Sequence, residues 1–163
     1  MSVNENVVRS LLVPISSGCF LLPSTLVAEV TPYTSPTPVA DTQPEWLLGT
    51  IQWREQKVPV LSINTALSLP TVNISNNYRI VVLYGLEAPQ MLPFYAFLAT
   101  DIPQALSVKP EDLLNPYEEK RKGLIFGVQL AEKDHLKNAW LPDFTYLEGL
   151  IKKSLPLLLT RNT

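Results

Sequence analysis

The sequence predicts an all-β fold, and three observations carry that prediction. Fifteen prolines are scattered from Pro14 to Pro156 of a 163-residue chain, about twice the usual share of roughly 5%. Proline lacks an amide hydrogen and breaks helices, so this spread leaves few segments free for long ones. Apolar residues recur in short runs separated by turn residues, which is strand patterning. With 46% apolar and 17% charged residues, the chain can bury a core and lacks the composition of a disordered tail.

The elements follow in order. Arg9 to Ile15 reads as a strand, with Cys19 to Leu22 as its partner across Ser16-Ser17-Gly18, where glycine tolerates positive φ. Ser24 is a candidate cap for one helical turn before Leu26 to Val30 returns to extended structure. Thr31 to Pro44 is a proline-rich loop, either an ordered arm or a mobile one. "WLLGTIQWREQKVPVLSI" (Trp46 to Ile63) is a hairpin around Arg54-Glu55-Gln56-Lys57. Leu47, Gly49, Ile51 and Trp53 share one face, and Pro59 is expected at a strand edge or bulge. Asn64 to Pro70 closes this part with a short helix or turn.

Tyr78 to Tyr84 and Phe94 to Ala99 read as neighbouring strands without clean alternation, as if both faces were covered. Leu106 to Val108 is extended, and "KPEDLL" is one helical turn with Pro110 first and Glu111 and Asp112 at its positive end. "NPYEEKRK" is an exposed loop, Leu124 to Leu130 another strand, and "DFTYLEGLIKKSL" a helix. Its apolar positions are Phe144, Leu147, Leu150 and Ile151, with Asp143 as N-cap.

Composition also bounds function. A net charge of −2 gives no electrostatic reason to expect nucleic acid or an anionic membrane. Cys19 is the single cysteine, which excludes an intramolecular disulfide, and the broken N-terminal apolar run fits neither a signal peptide nor a membrane span. The expectation is a soluble cytoplasmic protein. His135 is the single histidine and sits among charges, as in a solvated turn. One His and one Cys do not make a usual zinc site. The acidic pairs Glu111-Asp112 and Glu118-Glu119 read as solvated surface, and no phosphate loop or nucleophile elbow is present. No catalytic residue, cofactor or metal is expected.

In this order the features resemble the CheW-like domain family, the adaptor modules of bacterial chemosensory arrays. "GTIQWREQKVPV" supplies the family's Gly49, Arg54, Pro59 and Val60. "LVAEVTPY" supplies Val27, Glu29 and Val30, and "IPQALSVKPEDLLNP" is similar to the segment that ends in a short acidic turn. The chain departs from the family at Glu55, where glycine is usual, at Ala99-Thr100 in place of Val-Asp, and at Ser62 in place of aspartate. These departures point to a divergent branch, similar to the ChpC and PilI adaptors of pilus-linked systems.

The resemblance implies one domain over 1–163, made of two packed five-stranded SH3-like β-barrel halves with short helical turns and a C-terminal helix. The halves would be 24–70, and 9–23 with 76–151. It implies a non-enzymatic adaptor, located in the cytoplasm at polar arrays. Such an adaptor couples a chemoreceptor cytoplasmic tip to the regulatory domain of a CheA-type histidine kinase, in chemotaxis or type IV pilus twitching. The groove between the halves would take the receptor and the first half the kinase. The implied partner-binding residues are Arg54, Glu55, Lys57, Glu29, Val27 and Val30. For Arg54 two readings stand: a guanidinium offered to a partner, or an internal support of the hairpin. An oligonucleotide-binding β-barrel is the alternative function, and it requires a basic concave face.

Overall fold

Antiparallel hairpins set the topology. The computed structural model describes residues 7–16, 18–69, 77–117, 124–132 and 135–159. β1 (Val8–Ile15) and β2 (Gly18–Pro23) form the first hairpin. β3 (Val27–Pro32), β4 (Leu47–Trp53), β5 (Gln56–Leu61), β6 (Arg79–Tyr84) and β7 (Phe94–Ala99) follow. The remaining strands are β8 (Gln104–Val108), β9 (Leu113–Tyr117), β10 (Leu124–Glu132) and β11 (His135–Pro142). Helices α1 (Ile63–Ala66), α2 (Phe144–Lys153) and α3 (Leu155–Leu159) complete the described chain.

The strands assemble into a five-stranded sheet, β3-β6-β7-β5-β4, and a six-stranded sheet, β8-β1-β2-β11-β10-β9. The all-β prediction of two SH3-like halves stands, with one half larger than the expected five strands. The N-terminal hairpin does join the C-terminal strands. The sheet boundary, however, corrects the expected halves: β6 and β7 pair with β3 and β5, not with the C-terminal strands. The physical reason lies in β7, which extends β6 on one side and runs parallel to β5 on the other, through Val60↔Ala96 and Leu61↔Phe97.

Three apolar clusters account for the two sheets. Ile51, Trp53, Val58, Val60, Ile80, Val82 and Ala96 form a cluster on one face of the five-stranded sheet. Leu12, Cys19, Leu21, Val108 and Ala139 do the same for the six-stranded sheet. Between the sheets lies a shared core that takes Val13, Phe20, Leu61, Val81, Leu83, Phe97 and Trp140, with Leu147 and Ile151 of α2 packed into it. β6 therefore sends Ile80 and Val82 to one core and Val81 and Leu83 to the other, which is why its sequence does not alternate.

Several local expectations change. Ser24 lies within a 3₁₀ turn, Ser24–Leu26, where its carbonyl accepts from the Val27 N–H and no side chain caps the turn's start. Asn115 to Tyr117 belong to β9 rather than to a loop, while 118–123, with the Glu118-Glu119 pair, lie outside the described residues. His135 opens β11 opposite Glu132, so its backbone is in a strand and not in a turn. Ser62 replaces the family's aspartate and still caps α1, accepting from the Thr65 N–H at 3.5 Å. Asp143 caps α2 as expected, its Oδ1 accepting from the Tyr146 N–H at 3.2 Å.

Candidate functional site

The hairpin tip is built on a strained turn. Trp53 pairs with Gln56 across two loop residues, Arg54 and Glu55, whose φ angles are +47° and +64°. A two-residue loop with both φ angles positive is the type I′ turn that suits twisted strands and normally takes Asn-Gly. Placing an L side chain there costs roughly 1 kcal/mol or more per residue. Glu55, where the family has glycine, therefore accepts the conformation that glycine would adopt freely.

What holds the tip is a set of contacts around Arg54. Its Nη2 lies 3.0 Å from Glu29 Oε1 on β3, and its guanidinium sits 4.4 Å over the Trp53 ring. β3 and β4 are the two ends of the five-stranded sheet, so the ion pair joins edges that share no hydrogen bond among the described residues. Both side chains are well exposed, at 61% for Arg54 and 42% for Glu29. An exposed pair is worth about 0–1 kcal/mol, and stacking on the indole contributes about 0.5–1 kcal/mol more. The indole is itself buried, edge-on to Phe94 at 4.7 Å, and Phe94 in turn meets Tyr84 at 5.6 Å. Trp53 Nε1 is buried without a hydrogen-bond partner among the described residues.

The other sequence-predicted residues divide between surface and support. Glu55 and Lys57 are exposed at the tip beside Arg54. Val27 and Val30 are half-buried and pack against the shared core, whereas Glu29 turns the other way. A β-bulge between Val27 and Glu29 produces that switch. Thus Arg54, Glu29, Glu55 and Lys57 share one end of the sheet, and the two valines face the region between the sheets.

Strand β4 is fixed from outside by the proline-rich arm, which is ordered. Thr37 exchanges two backbone bonds with Thr50, at 2.8 and 2.9 Å. Gln43 accepts from the Val39 N–H at 2.7 Å and donates to Leu47 O at 2.8 Å. Gly49 allows this approach: a Cβ there would lie 2.3 Å from Thr37 O, and φ is +139°. The same arrangement explains Pro59. It lies opposite Thr50, whose N–H and C=O both turn to Thr37, so this is a non-hydrogen-bonded pair and proline removes no bond from it. Pro59 lies within β5, one residue before the parallel pairing with β7 begins at Val60↔Ala96, so its nitrogen falls where the ladder is open on that side, in line with the expected strand edge.

Sequence reasoning missed a buried carboxylate. Glu148 on α2 is 1% exposed. Its Oε1 accepts from the N–H groups of Leu86 and Glu87, both at 2.9 Å, and its Oε2 accepts from the Tyr95 O–H at 3.0 Å. Burial, then the adjacent Glu148 charge and hydrogen bond, push the Tyr95 phenol well above its ordinary range. The signal was present in the spacing, because Glu148 falls on the Phe144, Leu147, Ile151 stripe that faces the core. Among the described residues no group of His, Cys, Asp and Glu could hold a metal, and no helix is long and apolar enough to cross a membrane.

Two sheets packed through a common core, one tipped by an arginine-bearing hairpin, define a protein of two SH3-like halves. A model of the CheW-like domain family matches residues 9–137, and this chain belongs to that family, a family of signalling scaffolds. Among solved structures it is similar to the scaffolding protein TtCheW from Thermoanaerobacter tengcongensis. The TM-score is 0.66 at 14% identity, over 83% of this chain and 84% of that one, a likeness of fold. No curated protein matches.

Proposed function

We propose that this chain is a non-enzymatic, cytoplasmic adaptor that couples a chemoreceptor cytoplasmic tip to a CheA-type histidine kinase regulatory domain. It would serve either chemotaxis or type IV pilus twitching. Family membership supports the adaptor role, and the Arg54–Glu29 pair on an exposed, strained hairpin is the observation that carries the site. Arginine presents a planar fork of donors. Here one nitrogen is anchored to Glu29 and the guanidinium rests over the Trp53 ring, so the exposed remainder is pre-organised for a partner's carboxylate or carbonyls. Glu55 and Lys57 flank it and supply charges of both signs for specificity. In this reading the first half, with Arg54, Glu55, Lys57 and Glu29, docks the kinase. Val27 and Val30 support the wall of the groove that takes the receptor.

The oligonucleotide-barrel alternative gains no support from this end of the molecule, where the arginine is already paired with a glutamate and sits beside Glu55. Calorimetry with the cognate kinase regulatory domain tests the adaptor reading. The wild-type chain should bind, and Arg54→Glu should weaken binding by at least about tenfold, the loss of one charge-assisted contact. Its fold should survive, with Tm lower by only about 2–4 °C. Absence of wild-type binding to kinase and receptor at high micromolar concentration would defeat the proposal.

A further inference from the structure

The buried carboxylate of Glu148 holds the β6–β7 connection, residues 85–93, rather than its own helix. Leu86 donates to both carboxylate oxygens, at 2.9 and 3.1 Å, and Glu87 donates to Oε1 at 2.9 Å. Tyr95, the second residue of β7, completes the set by donating its O–H to Oε2 at 3.0 Å. Thr145 of the same helix donates from its Oγ1 to the Glu87 carboxylate. The connection closes on itself as well, with the Gly85 N–H bonded to Pro93 O at 2.8 Å.

This connection begins and ends on the aromatic series that carries the arginine. Tyr84 and Phe94 are the last cross-strand pair before it. Their rings are in contact, Phe94 lies against Trp53, and Arg54 lies over Trp53. The path from α2 to Arg54 therefore runs through contacting groups, each with a stated neighbour. An exposed ion pair and a stacked guanidinium cannot fix the tip alone, because their combined worth is close to the strain of the turn. The position of the indole then decides where the guanidinium rests.

We propose that Glu148 is a positioning residue for the Arg54 site, acting through the β6–β7 connection and the Tyr84–Phe94–Trp53 series. This makes α2, which lies beyond the family-matched residues 9–137, part of the binding apparatus of the first half. The inference rests on the proposed adaptor function for its binding consequence, and on structure alone for its mechanical one.

The nearly isosteric Glu148→Gln variant tests both. Its neutral amide keeps one acceptor oxygen, loses the charge that strengthens the bonds from the Leu86 and Glu87 amides, and presents an NH2 in place of the oxygen that accepts from the Tyr95 O–H. The Leu86 and Glu87 amides should exchange at least about tenfold faster relative to Val81 and Val82 of β6, and the Trp53 indole resonance should shift. Affinity for the kinase regulatory domain should fall on the order of threefold to tenfold. In an Arg54→Ala background the same substitution should cost no further affinity. Tyr95→Phe, which removes one bond, should act in the same direction to a smaller extent, and it carries the test if Glu148→Gln does not fold. Unchanged exchange and an unshifted indole in a folded variant overturn the proposal. Additive losses with Arg54→Ala also overturn it. If the wild-type chain binds no kinase while the exchange and indole effects appear, the adaptor reading fails and the positioning role stands.

Discussion

Arg54 and Glu55 adopt a backbone conformation that glycine and asparagine take without strain, and the turn tolerates them because Arg54 has Trp53 and Glu29 to rest on. Glu55 is exposed and has no such contact among the described residues. Glu55→Gly should therefore stabilise the fold by roughly 0.5–1 kcal/mol in chemical denaturation, the strain relieved less the entropy that glycine adds to the unfolded chain. A destabilisation of that size would mean that the Glu55 side chain makes a compensating contact. The sequence singled out both residues through spacing and the glycine departure. It did not reveal the stacking of Arg54 on Trp53, because a turn residue's contacts depend on the twist of the hairpin beneath it.

At the scale of elements, β4 shows how a loop can finish a sheet. Its outer edge would present free N–H and C=O groups, a template for unwanted pairing, and Thr37 of the proline-rich arm covers part of it. Gly49→Ala places a methyl 2.3 Å from Thr37 O at a φ of +139°. The arm must then move, and the variant should lose at least about 2 kcal/mol in urea denaturation, with faster proteolysis between Thr31 and Pro44. Wild-type stability in this variant would show that the arm is not held by Gly49. Strands such as β1, β6 and β10 and the Asp143 cap of α2 were legible where periodicity was local, whereas β9, β11 and the Ser62 cap of α1 were not. Partner choice was not: β6 and β7 follow a long connection, and the sheet they join is fixed by side-chain burial on both faces rather than by proximity in sequence.

For the molecule as a whole, the shared core ties stability to one buried acid and one phenol. Tyr95 is fully buried and bonded to Glu148, and burial foremost raises its pKa above the ordinary 10.0. The folded state thus keeps a proton that the unfolded chain releases. Its contribution is complete below pH 10 and declines as pH rises beyond that value. Denaturation midpoints should fall above about pH 10, and Tyr95→Phe should flatten that decline while costing about 1–3 kcal/mol at neutral pH, since Glu148 loses a donor. A Tyr95→Phe protein with an unaltered alkaline limb would place the titration elsewhere. The Glu148 contact spans the chain from residue 86 to residue 148, and such long-range polar pairs leave little local trace in a sequence.

The proposed adaptor role makes the hairpin end of the five-stranded sheet the kinase-docking surface. The most direct measurement is a titration of the isotope-labelled chain with the cognate kinase regulatory domain, followed by amide chemical shifts. Docking at this end should leave a footprint on Glu29, Arg54, Glu55 and Lys57 that is lost in Arg54→Glu. A footprint confined to the six-stranded sheet, or no footprint at all, would contradict it.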